Sequence, residues 1–253
     1  MGGINMFTDS HCHLFYEDYK DIEKIIDNAK KNGIIKMINN GSDLKTNKEV
    51  LEIASKYSEV FASLGFHPEI CTNTNITDLS IITKNIDKIV AIGEIGLDYH
   101  YDNTDKDKQI WLFQEQLKIA EKYNKPVIIH SRDATKDTID ILQKYPNVKG
   151  VIHCFSGSLE TAKIYIKMGY KLGIGGVITF KNSKLHEVIE QLPLESIVLE
   201  TDAPYLTPHP HRGEKNEPAY TKLVAEYISN LKGISMQELS KITENTIKEV
   251  FDI

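Results

Sequence analysis

Val127-Ile128-Ile129-His130-Ser131-Arg132 is a short β-branched apolar run that ends in an imidazole and a guanidinium. A strand with one wet face would alternate apolar and polar residues. This run does not, so it reads as a strand covered on both faces. The same form recurs along nearly the whole chain, at Phe7–His13, Ile34–Asn39, Val60–Gly65, Ile89–Glu94, Pro126–His130, Lys149–His153, Tyr170–Ile174 and Ser196–Glu200. Amphipathic stretches lie between these runs. Lys20–Asn32 stops at Gly33, and Lys106–Tyr123 carries Trp111, Phe113, Leu117 and Ala120 at helical spacing. Asp133–Tyr145 ends before Pro146, Ser158–Met168 opens on a serine cap, Ser183–Gln191 ends before Pro193, and Ala219–Leu231 precedes Gly233. The final stretch, Ser235–Phe251, opens with Ser-Met-Gln-Glu, a capping-box pattern.

Eight strand-helix units with short joints predict an α/β fold, a single (β/α)8 TIM barrel with an extra C-terminal helix. A doubly wound open sheet is the other architecture this rhythm allows. The 253 residues contain no Pro/Gly/Ser-rich linker and no low-complexity tract, so residues 1–253 read as one domain. The longest irregular stretches, Ile95–Asp105 and Ala203–Pro218, each follow a proposed strand. Both would sit on the face where barrel enzymes keep their chemistry.

Composition excludes several classes. No apolar run approaches a membrane span, and the start Met-Gly-Gly-Ile-Asn-Met-Phe has no basic segment leading into an apolar one, so no secretory signal is read. Met6 could be the original start, with residues 1–5 an added leader. Three cysteines, Cys12, Cys71 and Cys154, make no disulfide framework, and a cytoplasmic location fits. A net charge of −6 argues against a general duplex-binding surface but not against an enzyme that takes one phosphate at a time.

The chemistry sits at the ends of the runs. In Thr8-Asp9-Ser10-His11-Cys12-His13, strand alternation points both imidazoles one way and Cys12 the other. Cys154, beside His153, should likewise turn away as a small buried hydrophobe. Glu94 closes the fourth run, His130 the fifth and His153 the sixth, and Asp202 follows the eighth. A lone histidine after an apolar run is usually a hydrogen-bonded structural residue. Four histidines and two carboxylates at one rim are different. Left unpartnered, each buried group would cost about 1–3 kcal/mol, and divalent ions are the economical compensation.

The set His-x-His, Gly93-Glu94-Ile95-Gly96-Leu97-Asp98-Tyr99, His130-Ser131-Arg132, His153-Cys154-Phe155-Ser156-Gly157 and Glu200-Thr201-Asp202-Ala203-Pro204-Tyr205 resembles the TatD family of metal-dependent deoxyribonucleases, in the amidohydrolase superfamily. The resemblance runs from Phe7 to the closing Glu244–Phe251. It implies one ion on His11, His13, Glu94 and Asp202, and a second on Glu94, His130 and His153, with Glu94 bridging. Mixed nitrogen and oxygen ligands suit Zn²⁺ or Mn²⁺, and Mg²⁺ stays open. The implied activity is hydrolysis of DNA phosphodiesters by a metal-bridged hydroxide, with Asp202 as general base and Glu94 in the catalytic pair. Attack on single strands as a 3'-5' exonuclease, by a monomer, rests on the resemblance alone.

Several residues are expected to meet substrate. His67 and the loop residues Arg212, Asn216 and Glu217 match family positions, and Arg132 shares the face of His130 and offers a bidentate fork for phosphate. Asp9 and Glu200, each two residues below a ligand, should orient the ligand imidazoles. Asp98 and Tyr99 are read as shaping the pocket. Other chemistry on the same barrel, such as D-aminoacyl-tRNA deacylation, is the near alternative, and an inactive binding barrel the further one. Cyclic amidases and phosphotriesterases commonly bridge their ions with a modified lysine, and Glu94 at that place disfavours them.

Overall fold

The structure, a computed structural model, describes residues 5–101 and 105–253. Eight parallel strands lie in sequence order: β1 (Phe7–Cys12), β2 (Ile34–Asn40), β3 (Val60–Leu64), β4 (Ile89–Asp98), β5 (Val127–Arg132), β6 (Gly150–Ile152), β7 (Lys171–Ile174) and β8 (Ile197–Leu199). β8 is too short to zip along β1. The seam is made instead by the backbone just beyond it, where His13 N–H donates to Ala203 O at 2.7 Å and Asp202 N–H donates to His11 O at 2.9 Å. The Asp9 carboxylate adds a stitch by accepting the Thr201 N–H at 3.0 Å and the Thr201 hydroxyl at 2.5 Å. The fold is a (β/α)8 TIM barrel.

Helices fill the connections: α1 (Ile22–Lys31), α2 (Leu44–Lys56), α3 (Ser80–Lys84), α4 (Lys106–Tyr123), α5 (Thr135–Leu142), α6 (Leu159–Lys167), α7 (Leu185–Gln191), α8 (Thr221–Lys232) and the extra α9 (Met236–Phe251). Sequence periodicity missed α2 and α3. α2 carries its own start signal, a capping box in which the Asp43 carboxylate accepts the Thr46 N–H and Thr46 Oγ1 accepts the Asp43 N–H. The connection from β3 to β4 is broken into a 3₁₀ segment, Pro68–Asn73, and the single-turn-scale α3, too short for a helical period to show.

The core has two layers. The larger lies between strands and helices and takes residues such as Ile92, Ile95, Ile129, Ile152 and Leu199. The smaller fills the barrel, where Ile38, Ala91, Ile128, Val151 and Val198 meet Ile247 and Phe251 of α9. α9 packs on β1 and β8. With the lower barrel closed by apolar side chains, the next inward positions up each strand are polar. Ile128 and His130 share one face of β5, as do Val198 and Glu200 at the end of β8.

Two strands run further than the sequence suggests. β4 continues past Glu94 to Asp98 and β5 past His130 to Arg132, paired as Ile95↔Ile129 through Asp98↔Arg132. Part of the expected loop Ile95–Asp105 is therefore strand, and its residues 102–104 lie outside the described residues, as do residues 1–4 of the proposed leader. Between Ile92↔Val127 and Ile95↔Ile129, β4 spends three residues against two on β5. This bulge matters for the site, since Ile92 and Ile95 both face the outer core while Glu94 between them is turned inward.

Candidate metal centre

The inward groups converge at the carboxyl ends of the strands. Glu94 stands in the middle. Its Oε1 lies 2.9 Å from His130 Nδ1 and 2.8 Å from His153 Nε2. Its Oε2 lies 3.5 Å from His11 Nε2 and 3.4 Å from His13 Nε2. Asp202 Oδ1 faces the same two nitrogens at 3.5 and 3.6 Å. Three sets of donor atoms draw close enough to hold an ion: His11–Glu94–His153, His11–His13–Asp202 and His67–Glu94–His130. All six positions expected to be ligands thus meet in one cluster. The bulge in β4 places Glu94, and the Glu94 N–H is anchored to Gly41 O at 3.0 Å. Asp202 takes a left-handed backbone at φ 58°, which lifts its carboxylate off the line of β8.

The proton positions imposed by the surroundings fit a cation. His13 Nδ1 donates to Asn40 O at 2.9 Å, so its Nε2 carries a lone pair towards Glu94 and Asp202. His130 Nε2 donates to Asp98 Oδ2 at 3.0 Å, so its Nδ1 lone pair faces Glu94 Oε1. Ring nitrogens also face each other at 3.1 Å between His11 and His13 and at 3.2 Å between His130 and His153. Lone pairs aimed at one another and at carboxylates in a buried site repel unless positive charge lies between them. Buried Nδ1 atoms of His11 and His153 have no hydrogen-bond partner among the described residues.

Without a metal, protons take that role. Burial works against charge on Glu94, yet His153, His67 and His11 pull its carboxyl well below the usual range. Burial alone would lower His13, but Asp202 and Glu94 outweigh it and hold the ring at about 10. His153 and His130 are likewise raised against burial, the first by Glu94 and Glu200, the second by Asp98 and Glu94. His11 goes down, through its own burial and then the neighbouring His153.

A cavity of about 690 Å³ opens over the cluster, walled by His13, His67, Glu94, His130, His153 and Asp202, with Arg132 beside them and the aromatic rings of Phe15, Tyr101 and Tyr205. His67 Nδ1 accepts the Glu69 N–H at 3.2 Å, which leaves Nε2 to carry the proton 3.5 Å from Glu94 Oε1. His67 is therefore set up as a donor. Arg132 is exposed, with its guanidinium 5.8 Å from the Tyr101 ring centre.

Other expectations fall differently. Arg212, Asn216 and Glu217 lie outside the cavity wall and fasten the loop. The Arg212 guanidinium stacks 3.9 Å from the Phe180 ring centre and donates to Thr207 O. The Asn216 amide donates to Thr201 O and Tyr205 O, and Glu217 accepts from the Asn28 amide. Glu200 does reach towards a ligand, with Oε1 3.7 Å from His153 Nδ1 and 2.6 Å from the Cys154 N–H it accepts. Asp9 does not. β1 slips register against β2 between Asp9 and Cys12, and the Asp9 carboxylate goes to the backbone N–H groups of His11 and Thr201. Burial pushes that carboxyl up to about 8. Cys12 is buried as expected, but Cys154 borders the cavity. β6 ends at Ile152 and Cys154 has φ 48°, so strand alternation no longer applies to it. Burial and then the nearby carboxylates raise its thiol well above the usual range. Asp98, expected only to shape the pocket, instead accepts from a ligand imidazole. Its place four residues after Glu94 on a continuing strand was the available signal for a carboxylate that holds His130.

A family model described as TatD related DNase matches residues 8–252. The chain is 41% identical over 254 residues to the uncharacterized metal-dependent hydrolase YabD of Bacillus subtilis, covering 98% of this chain and 100% of that one. The crystal structure of YjjV, a TatD homolog from Escherichia coli, superposes with a TM-score of 0.94 at 34% identity, over 99% of this chain and 100% of the other. A TatD family hydrolase from Entamoeba histolytica superposes with a TM-score of 0.88 at 25% identity, over 99% of both chains.

Proposed function

This chain belongs to the TatD family of metal-dependent hydrolases, and from that premise we propose that it hydrolyses DNA phosphodiesters, working from the 3' end of single strands. The observation that carries the reading is the double presentation of Glu94, whose Oε1 faces His130 and His153 and whose Oε2 faces His11 and His13. One carboxylate serving two nitrogen sets suits a pair of divalent ions, Zn²⁺, Mn²⁺ or Mg²⁺. His11, His13, Asp202 and Glu94 Oε2 would hold one, and His130, His153 and Glu94 Oε1 the other. When bound, the ions supply Lewis-acid activation of a water and of a phosphoryl oxygen.

The protein's own groups do the rest. Asp202 reaches the cavity with 15% of its side chain exposed. Against its own burial, His13, His153 and His11 keep its carboxyl below the usual range, so it is ionised at neutral pH and free to accept a proton from the attacking water. His67 Nε2–H and the Arg132 fork donate to the remaining phosphate oxygens and fix the ester in line. Asp98 holds His130 through its hydrogen bond, and the Glu200 carboxylate faces His153 Nδ1 from 3.7 Å.

The test is a metal-loaded preparation offered end-labelled single-stranded and duplex DNA, D-aminoacyl-tRNA and a cyclic amide. Stepwise shortening of single strands from the 3' end is expected. Hydrolysis of the aminoacyl ester with intact oligonucleotides would replace the phosphodiester reading with the deacylase one.

A further inference from the structure

Tyr205 is a large aromatic residue left 60% exposed at the wall of the catalytic cavity. Single exposed rings are common on protein surfaces, and this one is set apart by its place on the wall of the cavity that opens over the ligand cluster. Its backbone is held on both sides. The Tyr205 N–H donates to Asp202 O at 2.8 Å, and the Tyr205 carbonyl accepts the side-chain amide of the fully buried Asn216 at 2.5 Å. Asn216 also ties itself to Thr201 O, so the anchor reaches the end of β8. The main chain of Tyr205 is thus fixed to the same short segment that carries Asp202, while its ring stays uncovered.

The ring centre lies 6.4 Å from that of His13, at an interplanar angle of 65°. Phe15, also in the cavity wall, packs with its ring centre 5.6 Å from that of His13 and is almost fully buried. In the eight-stranded ring β3 and β5 flank β4, the strand opposite β8, so His67 after β3 and Arg132 at the end of β5, the two donors suited to phosphate, line the side of the cavity away from the segment that carries Tyr205. A phosphate held between those donors and the carboxylate-imidazole cluster would leave its own nucleoside extending along the opposite wall, where Tyr205 stands.

We propose that Tyr205 is a stacking platform for the unpaired base of the nucleotide whose phosphate is being cleaved. The proposal deepens the phosphodiesterase reading and rests on it. A π-face accepts any base, so the site would select for an unstacked end rather than for a sequence. A base inside a duplex is already stacked and paired and cannot lie on the ring without being pulled out. A platform with a fixed backbone loses little freedom on binding, which makes the contact effective.

The experiment measures equilibrium binding of metal-loaded protein to short phosphorothioate single strands carrying 2-aminopurine or an abasic residue at the terminus. Wild type should quench 2-aminopurine on binding, and Tyr205→Phe should keep both quench and affinity. Tyr205→Ala and Tyr205→Leu should lose the quench and bind about five- to a hundredfold more weakly. The abasic strand should bind wild type with a similar loss, and Tyr205→Ala should not weaken it further. Binding and cleavage of DNA that are indifferent to Tyr205→Ala and Tyr205→Leu would overturn the stacking role and leave the phosphodiesterase reading standing. No binding and no cleavage of any oligonucleotide by wild type would overturn both.

Discussion

A Cβ on Gly173 would stand 2.1 Å from Glu200 Oε2, so the buried Glu200 carboxylate fills the room that any larger residue at 173 needs. Its other oxygen holds the Cys154 N–H and faces His153 Nδ1. Gly173→Ala should therefore push Glu200 aside and loosen His153. The expected cost is about 1–3 kcal/mol of stability and about a 10–100-fold loss of metal affinity. Urea unfolding of metal-free protein reads the first and metal titration the second. Unaltered affinity would mean that Glu200 does not orient His153.

Asp202 has a left-handed backbone, and Asn is the replacement that tolerates it best. Asp202→Asn should keep the wild-type fold by circular dichroism, at some cost in stability from the lost contact with the imidazoles, while kcat falls by about 10²–10⁴ through loss of the general base. Asp202→Ala would add backbone strain and blur the comparison. Turnover at the wild-type rate in Asp202→Asn would remove this side chain from the chemistry.

Among the described residues, Glu94 is the only carboxylate that touches both histidine pairs in the cluster. On the two-ion proposal, Glu94→Ala should bring bound metal down from two equivalents per chain to one or fewer, because only His130 and His153 remain on one side while His11, His13 and Asp202 remain on the other. Elemental analysis after gel filtration decides it, and two equivalents retained would refute the bridge.

What the sequence made legible follows what alternation and spacing can carry. Ile128 and His130, or Val151 and His153, obey a period of two, so their inward direction could be read directly. Glu94 obeys no such rule. Strict alternation from Ala91 and Gly93 would have sent it outwards, and only the bulge brings it in. Its assignment came from the motif around it. Cys154 departs from the expected outward direction for the converse reason, because β6 ends at Ile152 and alternation does not reach a residue with φ 48°. The seam between β1 and β8 was illegible as well, since Asp9 and Thr201 are 192 residues apart.

Metal should also stabilise the fold, since the converging lone pairs and carboxylates repel without a cation. At a free-metal concentration a hundred times its Kd, one site adds about 2.7 kcal/mol. For a chain of this length that is a rise of about 5–10 °C in Tm. Chelation should reverse it, and differential scanning calorimetry across a metal titration is the measurement. A flat Tm would mean that the folded cluster binds the ion no better than the unfolded chain does.

Glu244 on α9 offers a pH test away from the metal centre. Its Oε2 accepts the Thr8 hydroxyl at 3.0 Å and lies 3.5 Å from Lys36 Nζ, while its buried Oε1 has no hydrogen-bond partner among the described residues. Burial raises the carboxyl above the ordinary 4.5, against the smaller lowering by Thr8 and Lys36. The folded protein thus holds this proton more tightly than the unfolded chain. The stability it contributes is complete below 4.5 and is lost as pH rises through the folded-state pKa. Glu244→Gln cannot ionise and keeps an oxygen for Thr8. It should gain steadily on wild type as the pH is raised from about 4 to 7, as read by urea unfolding of metal-free protein. Wild type gaining on the variant over the same range would show that the Lys36 ion pair outweighs the cost of burying the charge.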